Sequence, residues 1–492
     1  MMGATDTKVY DYKPEAVREK LLRAFRESRG EATGADLVAR TGLPVHQVET
    51  ELRAVADEYG ARVRVTESGE PLWSFPRGFH SRYRGFGPAF RKGYRAFLKG
   101  AAAVGRFLFK IWIVVMLVGY FALFVALAVL ALVASFAANS SGRGDDRRSS
   151  RGRGGVGGAF MLTRVIELVV RIWFYSEFTK SSRDPFRAAE RRRAKKPLHT
   201  AIFSFVFGDP DPAADRAEHV RAAFADYVRS RKGLATVEEL SALTGLSPAE
   251  ADDAMNSLAY ELGGSPEVSE EGTVYWSFGE LMRSAGIERG SSADPGPLPL
   301  KRFSANPASA NAWFCAFNGV NLAFGGYFLF AVLTGASLGN AETGYTFYGF
   351  VTELVRSVGL DPQATLGIGL GVVPVLFAIL FYAVPALRFL ALKADNARRA
   401  RANLRRRAAR AVLSSPDRVD PSAIAARPPE EDGDPAALVE ELAVAWSGEP
   451  AADGTWRFPE TARRLRDLSL VRSRADESKW ALGGQVFDTD AP

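Results

Sequence analysis

One short motif contains two carboxylates whose spacing could form a chemical site. In the sequence IFSFVFGDPDP, residues 202–212, Asp209 and Asp211 alternate with prolines directly after Gly208. Carboxylate oxygens bind hard cations, so the pair could hold a metal ion. Proline fixes the backbone and aspartate stabilises turns, which favours a rigid turn between an apolar strand and the next domain. We therefore predict a structural turn at Gly208, Asp209 and Asp211.

Other residue types that support catalysis are scattered along the chain. The four histidines lie far apart in sequence, and the one cysteine, Cys315, falls inside an apolar run. Neither pattern has the spacing of a zinc site. The glycines of GIGLG, from residue 367, also lie in an apolar run, where they do not form a phosphate-binding loop. The sequence therefore predicts a protein that is not an enzyme and that has no cofactor and no metal site.

Long apolar runs predict membrane-spanning helices. Residues 111–138 contain no charged side chain, and residues 313–333 and 366–392 form two further runs. About 20 apolar residues suffice to cross a bilayer. Residues 159–178 are apolar except for a few charges, and this segment either spans the membrane or lies at its surface. We expect three to four spans.

The charges that flank these runs predict their orientation. Residues 77–110 contain nine basic residues and no acidic one, whereas the loop at residues 334–365 is mostly acidic. Basic loops remain on the cytoplasmic side, so we expect an inner-membrane protein with both termini in the cytoplasm. Within the basic stretch, aromatic and basic residues alternate. This pattern favours contact with membrane lipids over single-stranded nucleic acid because a span follows directly; the residues concerned are Phe90, Arg91, Lys92, Tyr94 and Phe97.

The chain contains an internal repeat. Residues 30–75 match residues 233–278 without a gap, with 17 of 46 positions identical. Each copy predicts three helices followed by a β-hairpin, which is the pattern of a winged helix-turn-helix. The fold class is thus mostly α, with duplicated winged helix-turn-helix modules at residues 14–76 and 215–280 and a helical transmembrane region. Residues 431–492 are expected to form a small C-terminal domain, and whether it is a degenerate third winged helix stays open.

The remaining segments connect these domains. They are a basic aromatic juxtamembrane segment at 77–110, a flexible linker at 139–158, a basic linker with the FGDPDP turn at 183–214, a linker at 281–310, and a basic helix and linker at 393–430.

The charge of the third helix in each module predicts its partner. Residues 215–280 contain 13 acidic and five basic residues. Affinity for nucleic acid requires cations at the phosphates, so nucleic acid is an unlikely partner. We predict a surface that binds protein, formed by Glu49 and Glu51 in the first module and by Asp252 and Asp253 in the second.

Three functions follow from these features. The first is a non-enzymatic integral membrane scaffold or assembly factor that docks protein partners through cytoplasmic modules. The alternatives are a membrane-tethered transcription regulator, suggested by the fold, and a transporter or channel, suggested by the glycine-rich spans near Gly319 and Gly367. The identity of the protein partners stays open, and so does a homo-oligomer.

The motif SFVFGDPDP resembles the SFVFGDGDPN-type signature of a poorly characterised family of cyanobacterial and plastid membrane proteins. That family includes a chloroplast envelope protein sometimes labelled as iron–sulfur cluster related. The resemblance covers residues 15–280, and more loosely the rest of the chain, and implies an integral membrane protein without an accepted activity. Pro210 replaces the second glycine and Ala213 replaces the asparagine of the signature. With Cys315 as the single cysteine, an iron–sulfur role is not expected in this chain.

Overall fold

The structure is a computed structural model, and it describes residues 12–27, 31–76, 79, 104–140, 197–285, 294–335, 347–424 and 433–489. Within them the chain is mostly helical. The predicted lipid-contact residues, Phe90, Arg91, Lys92, Tyr94 and Phe97, and the ambiguous segment at 159–178 lie outside the described residues. The chain divides into two compact units. Unit 1 comprises Met1–Arg91, Pro210–Lys301 and Ala394–Pro492, and unit 2 comprises Lys92–Asp209 and Arg302–Lys393.

The α-helices in chain order are α1 (Pro14–Glu27), α2 (Gly34–Thr41), α3 (Val45–Tyr59), α4 (Tyr120–Ser140), α5 (Leu198–Phe207), α6 (Arg216–Ser230), α7 (Val237–Thr244), α8 (Pro248–Leu262), α9 (Gly279–Met282), α10 (Ala308–Thr334), α11 (Phe347–Ser357), α12 (Pro362–Ala364), α13 (Val373–Ser414), α14 (Pro435–Trp446) and α15 (Pro459–Arg474). Two π-helical segments, Val115–Gly119 and Thr365–Val372, precede α4 and α13, and short 3₁₀ helices occupy Pro421–Ala423 and Glu477–Trp480.

The strands are short. They are β1 (Arg62–Thr66), β2 (Pro71–Ser74), β3 (Leu234–Ala235), β4 (Ser265–Val268), β5 (Val274–Ser277), β6 (Glu449–Pro450), β7 (Trp456–Arg457) and β8 (Gln485–Asp488). They form three separate antiparallel sheets of order β2-β1-β8, β3-β5-β4 and β6-β7.

Residues 14–76, named module 1, and residues 215–280, named module 2, have the same element order with matching boundaries. Helices α2 and α3 and strands β1 and β2 lie 203 residues before α7, α8, β4 and β5. Relative to this offset, β4 ends one residue earlier than β1, and α6 begins one residue earlier than α1. Shared caps explain the match, because Thr33 and Thr236 each form a capping box at the next helix. Gly42 and Gly245 end those helices in the left-handed conformation, with φ of 63° and 80°.

A third set of elements follows the same plan and is named module 3, residues 400–458. The last turns of α13 end at Ser414, which is 184 residues after Ser230 at the end of α6. Val419 then bridges to Trp456, as Ala235 pairs with Trp276 in module 2. The helix α14 and the hairpin β6–β7 follow in the positions of α8 and β4–β5. Module 3 therefore shares this element order with module 2, with a 3₁₀ turn at Pro421–Ala423 in place of α7 and a shorter hairpin.

The same contact joins module 1 to module 2 and module 2 to module 3. A Cβ atom on Gly42, at the end of α2, would lie 2.1 Å from the carbonyl oxygen of Glu218 on α6. A Cβ atom on Gly245, at the end of α7, would lie 2.1 Å from the carbonyl oxygen of Ala402 on α13. Arginines complete both contacts: Arg221 donates to Gly42 O at 2.6 Å, and Arg405, 184 residues later, donates to Gly245 O at 3.1 Å. The end of the second helix in one module thus packs on the first helix of the next.

Unit 2 contains helices that are long and apolar enough to cross a membrane. Among the described residues there are three, Val104–Ser135, Ala308–Thr334 and Pro362–Ser414, the last of which continues into unit 1. Two fully buried asparagines of α10 hold its neighbours: Asn318 Nδ2 donates to Ala378 O at 3.0 Å, and Asn321 Nδ2 donates to Leu117 O at 2.9 Å. Each of these bonds joins α10 to a different neighbouring helix.

The expected apolar strand before the FGDPDP turn is a helix, α5. Its sequence, LHTAIFSFVF, is apolar on all sides, and a short run of this kind has no periodicity that separates strand from helix. Pro197 precedes its first turn and Gly208 ends it. Three of its side chains, Ile202, Phe205 and Val206, lie in the core of unit 2.

Candidate protein-docking face

Helix α8 begins at a strong N-terminal cap. The Ser247 hydroxyl accepts from Glu250 N, while Glu250 Oε2 accepts from Ser247 N at 2.9 Å. The backbone bond from Ser247 is the main reason that the pKa of Glu250 is held below its usual value, with the Ser247 hydroxyl second. Glu250 is therefore a fixed negative charge at the start of the helix, where the helix dipole favours it.

The next turn of α8 presents two further acidic side chains, and both Asp252 and Asp253 are exposed. Tyr260 lies seven residues after Asp253 and therefore on the same side of the helix, and it is 81% exposed. Its ring lies 6.3 Å from that of His46 on α3, measured between centroids. This contact brings the third helices of the two modules together. We name the exposed α8 residues Asp252, Asp253 and Tyr260 the acidic face.

The two acidic residues predicted on α3 have different environments. Glu49 is exposed, three residues after His46. Glu51 is not part of the surface, because its side chain is 2% exposed. Its carboxylate accepts from Arg18 Nε of α1 and from the Tyr12 hydroxyl at 3.2 Å. Glu51 therefore holds α1 against α3. The prediction that Glu51 lies on a partner-binding surface was wrong, because its side chain is buried.

Folding brings arginines from other segments to module 2, but most of them contact α7 and not α8. From α15, Arg464 Nη1 pairs with Glu238 at 2.9 Å and Arg472 Nη2 pairs with Glu239 at 2.8 Å, both in the first turn of α7. From α13, Arg406 and Arg410 donate to the carbonyl oxygens of Leu243 and Ala242. Arg406 and Arg410 lie at the C-terminal end of α7, where they complement the negative end of its dipole.

Two cations do approach α8. Arg405 lies 4.0 Å from Glu250 and 2.9 Å from Glu441, and Arg221 lies 3.4 Å from Glu261. Both contacts are at the ends of the helix. Among the described residues, Asp252 and Asp253 have no ion-pair partner, so the middle of the exposed face keeps its negative charge.

Gly208 and Asp209 of the FGDPDP motif organise the end of α5 within unit 2. Gly208 has φ of 88°, and a Cβ atom there would lie 2.2 Å from Arg388 Nη1. Asp209 Oδ2 accepts from the Ser204 hydroxyl at 2.8 Å and from Ala305 N at 2.7 Å. The glycine thus makes room for an arginine, and the aspartate ties the end of α5 to the segment that leads into α10.

Asp211, in unit 1, is part of an ion network. It accepts from Ala213 N at 2.9 Å and pairs with Lys301 and Arg399 at 2.9 and 2.7 Å. Asp395 pairs with the same two cations. Burial raises the pKa of Asp211, but the hydrogen bonds from Arg399 and Lys301 outweigh it and hold that pKa far below its usual value. The motif therefore places two carboxylates against donors of the protein itself.

A cavity of about 630 Å³ lies in unit 1 between α2, α6 and the proline-rich segment around residues 295–299. One wall contains the ion pair between Asp36 Oδ1 and Arg229 Nη2, 2.9 Å apart and almost fully buried. Burial raises the pKa of Asp36, but Arg229, the Ser284 hydroxyl and the amides of Ala285 and Thr33 together lower it below its usual value. This pair joins module 1 to module 2, and it contributes structure rather than a free charge for a ligand.

Sequence reasoning missed Tyr260 because an exposed aromatic and a core aromatic have the same helical spacing. It also missed Asp36 and Arg229, which are 193 residues apart. The repeat itself contained a signal for them: Asp36 occupies the capping-box position of Glu239, and Arg229 follows Arg26 by 203 residues.

Comparison with known proteins gives one informative match. The chain is 27% identical over 281 residues to an uncharacterized chloroplastic protein of Arabidopsis thaliana. The match includes 56% of this chain and 51% of the plant protein, so the chain spans about half the length of that relative. No protein-family model and no solved structure matches the chain. The chain is thus similar to a poorly characterised plastid protein, in agreement with the plastid side of the resemblance found in the sequence.

Proposed function

We propose that the chain is a non-enzymatic membrane scaffold or assembly factor that docks protein partners on the acidic face. In this proposal modules 1 and 2 are winged helices that arose by duplication, and module 3 is a degenerate third copy. The spans anchor the chain in the bacterial inner membrane, with the modules and both termini in the cytoplasm. The SFVFGDPDP motif supports kinship with the SFVFGDGDPN-type family of cyanobacterial and plastid proteins.

The observation that carries the proposal is the sign of charge on α8. In a winged helix that reads DNA, the third helix enters the major groove with cationic and amide side chains. Here the exposed turn presents Asp252 and Asp253, and the arginines that folding adds reach mainly α7 instead. A helix of this charge repels phosphates and attracts a basic protein surface. The exposed Tyr260 adds the kind of aromatic side chain that anchors protein interfaces.

Charge reversal on the full-length chain tests the proposal. The variant Asp252→Lys with Asp253→Lys, expressed in its native membrane and purified in detergent after crosslinking, is expected to lose most of the captured partner. The matched control is Glu19→Lys with Glu27→Lys, which makes the same change of net charge on exposed positions of α1. Equal capture by both variants and the unchanged chain would contradict the proposal.

A membrane-tethered transcription regulator is the second candidate, and the element order of the modules is the observation that favours it. It predicts that the full-length chain protects a specific DNA sequence, and that Asp252→Lys with Asp253→Lys strengthens the protection. The scaffold proposal predicts no sequence-specific protection, because the basic segments of the chain give at most a uniform, salt-sensitive affinity for DNA.

A further inference from the structure

The edge of the hairpin in module 1 holds a strand from more than 400 residues away. Strand β8 pairs antiparallel with β1, with Val65 opposite Phe487 and Arg64 opposite Asp488. The pairing continues past the strand, where Thr489 N donates to Val63 O at 3.1 Å. The outer edge of β1 is therefore a site at which an extended peptide adds to a sheet.

Modules 2 and 3 are closed to the same addition by proline. In module 1 the amide and carbonyl of Val63 face outward, because Trp73 opposite it bonds to Ala32 on its other side. The residue 203 positions later is Pro266, and 184 positions after that is Pro450. Each is opposite the corresponding tryptophan, Trp276 or Trp456. Proline has no N–H for a further strand, which is a common way to protect an edge.

The bound strand is held mainly by its backbone and by one ion pair. The side chains of Val486 and Phe487 remain 68% and 56% exposed, so their burial contributes little. Asp488, by contrast, is buried and accepts from Arg62 Nε at 3.0 Å and from Arg62 Nη2. A strand held in this way can be exchanged for another of the same chemistry, because little apolar surface is lost when it leaves.

The β1 edge also specifies what that chemistry is. Gly483 has φ of 71°, and a Cβ atom there would lie 2.9 Å from Glu67 Cβ, so this position favours glycine, whereas a Cβ atom on Gly484 would meet only the movable carboxylate of Glu67. Their segment is fixed by Glu67 N, which donates to Gly484 O at 2.8 Å. The Thr489 hydroxyl accepts from Val63 N at 3.0 Å. The pattern is a glycine, a small residue, a spacer, an apolar and an aromatic residue, an aspartate and a hydroxyl residue.

We propose that the β1 edge of module 1 is a second docking site, for an extended partner segment with this pattern, and that β8 occupies it in the free chain. The site is separate from the acidic face. A partner segment displaces β8, pairs with β1 through its backbone and places its aspartate on Arg62. A partner segment must therefore bind β1 more tightly than β8 does.

A labelled peptide with the sequence of residues 481–489, ALGGQVFDT, tests this on the full-length chain in detergent. Phe487→Pro removes the amide that pairs with Val65 and frees the edge, so this variant is expected to bind the peptide at least tenfold more tightly than the unchanged chain. Adding Val63→Pro is expected to abolish binding, and modules 2 and 3 already accommodate proline at that position. A peptide with alanine in place of its aspartate is the second control, and we expect it to bind at least tenfold more weakly.

The proposal is overturned if the Phe487→Pro chain, with unchanged helical content, does not bind the peptide, or if Val63→Pro leaves binding intact. If Phe487→Pro does not fold, hydrogen exchange on the unchanged chain decides. Exchange at Val65 and Glu67, whose amides face β8, should be at least tenfold faster than at Trp73, and equal protection would contradict an exchangeable strand. A dimer that the peptide dissociates would assign the edge to β8 of a second copy and would also overturn the proposal.

Discussion

Modules 1 and 2 share their element boundaries and differ in the surfaces that those elements present. The hairpin of module 1 accepts β8, whereas Pro266 closes the corresponding edge of module 2. The third helix of module 1 turns Glu51 inward onto Arg18, whereas the corresponding residue of module 2 is Ala254, and the charge there is carried outward by Asp252 and Asp253. The caps and turns that define the fold are kept, and the exposed positions that we propose as docking sites diverge.

The asymmetry extends to the ion pairs at the equivalent capping positions. Asp36 of module 1 pairs with Arg229 of module 2, and Glu239 of module 2 pairs with Arg472 of α15. Each acidic cap residue is thus neutralised by an element that follows its own module in the chain. This order differs from a symmetric pair, in which Arg26 would reach Glu239. The modules are arranged in tandem, and module 2 has one face toward module 1 and another toward module 3.

The largest effect is expected from breaking the Asp36–Arg229 pair. Arg229→Met leaves a buried carboxylate without its cation, which costs about 3–5 kcal/mol. The control is Arg26→Met, the equivalent position in module 1, where the exposed guanidinium lies 5.4 Å from the Phe79 ring centroid. That change should cost about 0.5–1 kcal/mol. Thermal and urea unfolding of the detergent-purified chain measures both, and equal effects would contradict a tandem arrangement that rests on this pair.

Substitution at the module junctions should have the next largest effect. Gly42→Ala and Gly245→Ala each combine a left-handed backbone, worth about 1–2 kcal/mol, with a clash against the next module, worth about 1–3 kcal/mol. Gly263→Ala is the control, since Gly263 has φ of 72° but no neighbour within 4 Å. For Gly263→Ala the free energy of unfolding should fall only by the contribution of the left-handed backbone. If all three variants unfold at the same urea concentration, the junctions do not have the close contact described here.

The two capping boxes allow a smaller comparison. Thr236→Ala removes one cap and should cost about 1 kcal/mol of unfolding free energy. Thr33→Ala should cost more, because the Thr33 hydroxyl also donates to Arg283 O at 2.9 Å. Urea unfolding of the two variants gives the difference, and a larger loss for Thr236→Ala would contradict the added role of Thr33 between the modules.

Acid should weaken module 1 through Asp36 in a predictable direction. Burial alone would raise the pKa of this carboxyl, but Arg229 and the hydrogen bonds from Ser284, Ala285 and Thr33 lower it below 3.8. A lowered folded-state pKa stabilises the fold above the unfolded-state value, and this contribution is lost as pH falls through the folded-state pKa. The slope of unfolding free energy against pH below about 4 should therefore be smaller for Asp36→Asn than for the unchanged chain. An identical slope would exclude this carboxyl as its source.

Local features of the fold were predictable from the sequence, and long-range ones were not. Thr33, Gly42 and their partners at Thr236 and Gly245 signal helix ends through the chemistry of neighbouring residues, so caps could be assigned without a structure. The pairing of β8 with β1 could not, because backbone bonds between strands far apart in sequence leave no periodic pattern. The burial of Glu51 depends on Arg18 in another helix. Helix α5 was mistaken for a strand because its residues are apolar on every side.

A photo-crosslinking amino acid at position 256 tests whether the acidic face of α8 binds protein. Asn256 is exposed on α8 between Asp253 and Tyr260. In native membranes this position is predicted to give discrete protein adducts that resist nuclease and disappear in the Asp252→Lys, Asp253→Lys chain. Adducts that nuclease removes, or a pattern identical to that of a probe at Glu19 on α1, would contradict protein docking on α8.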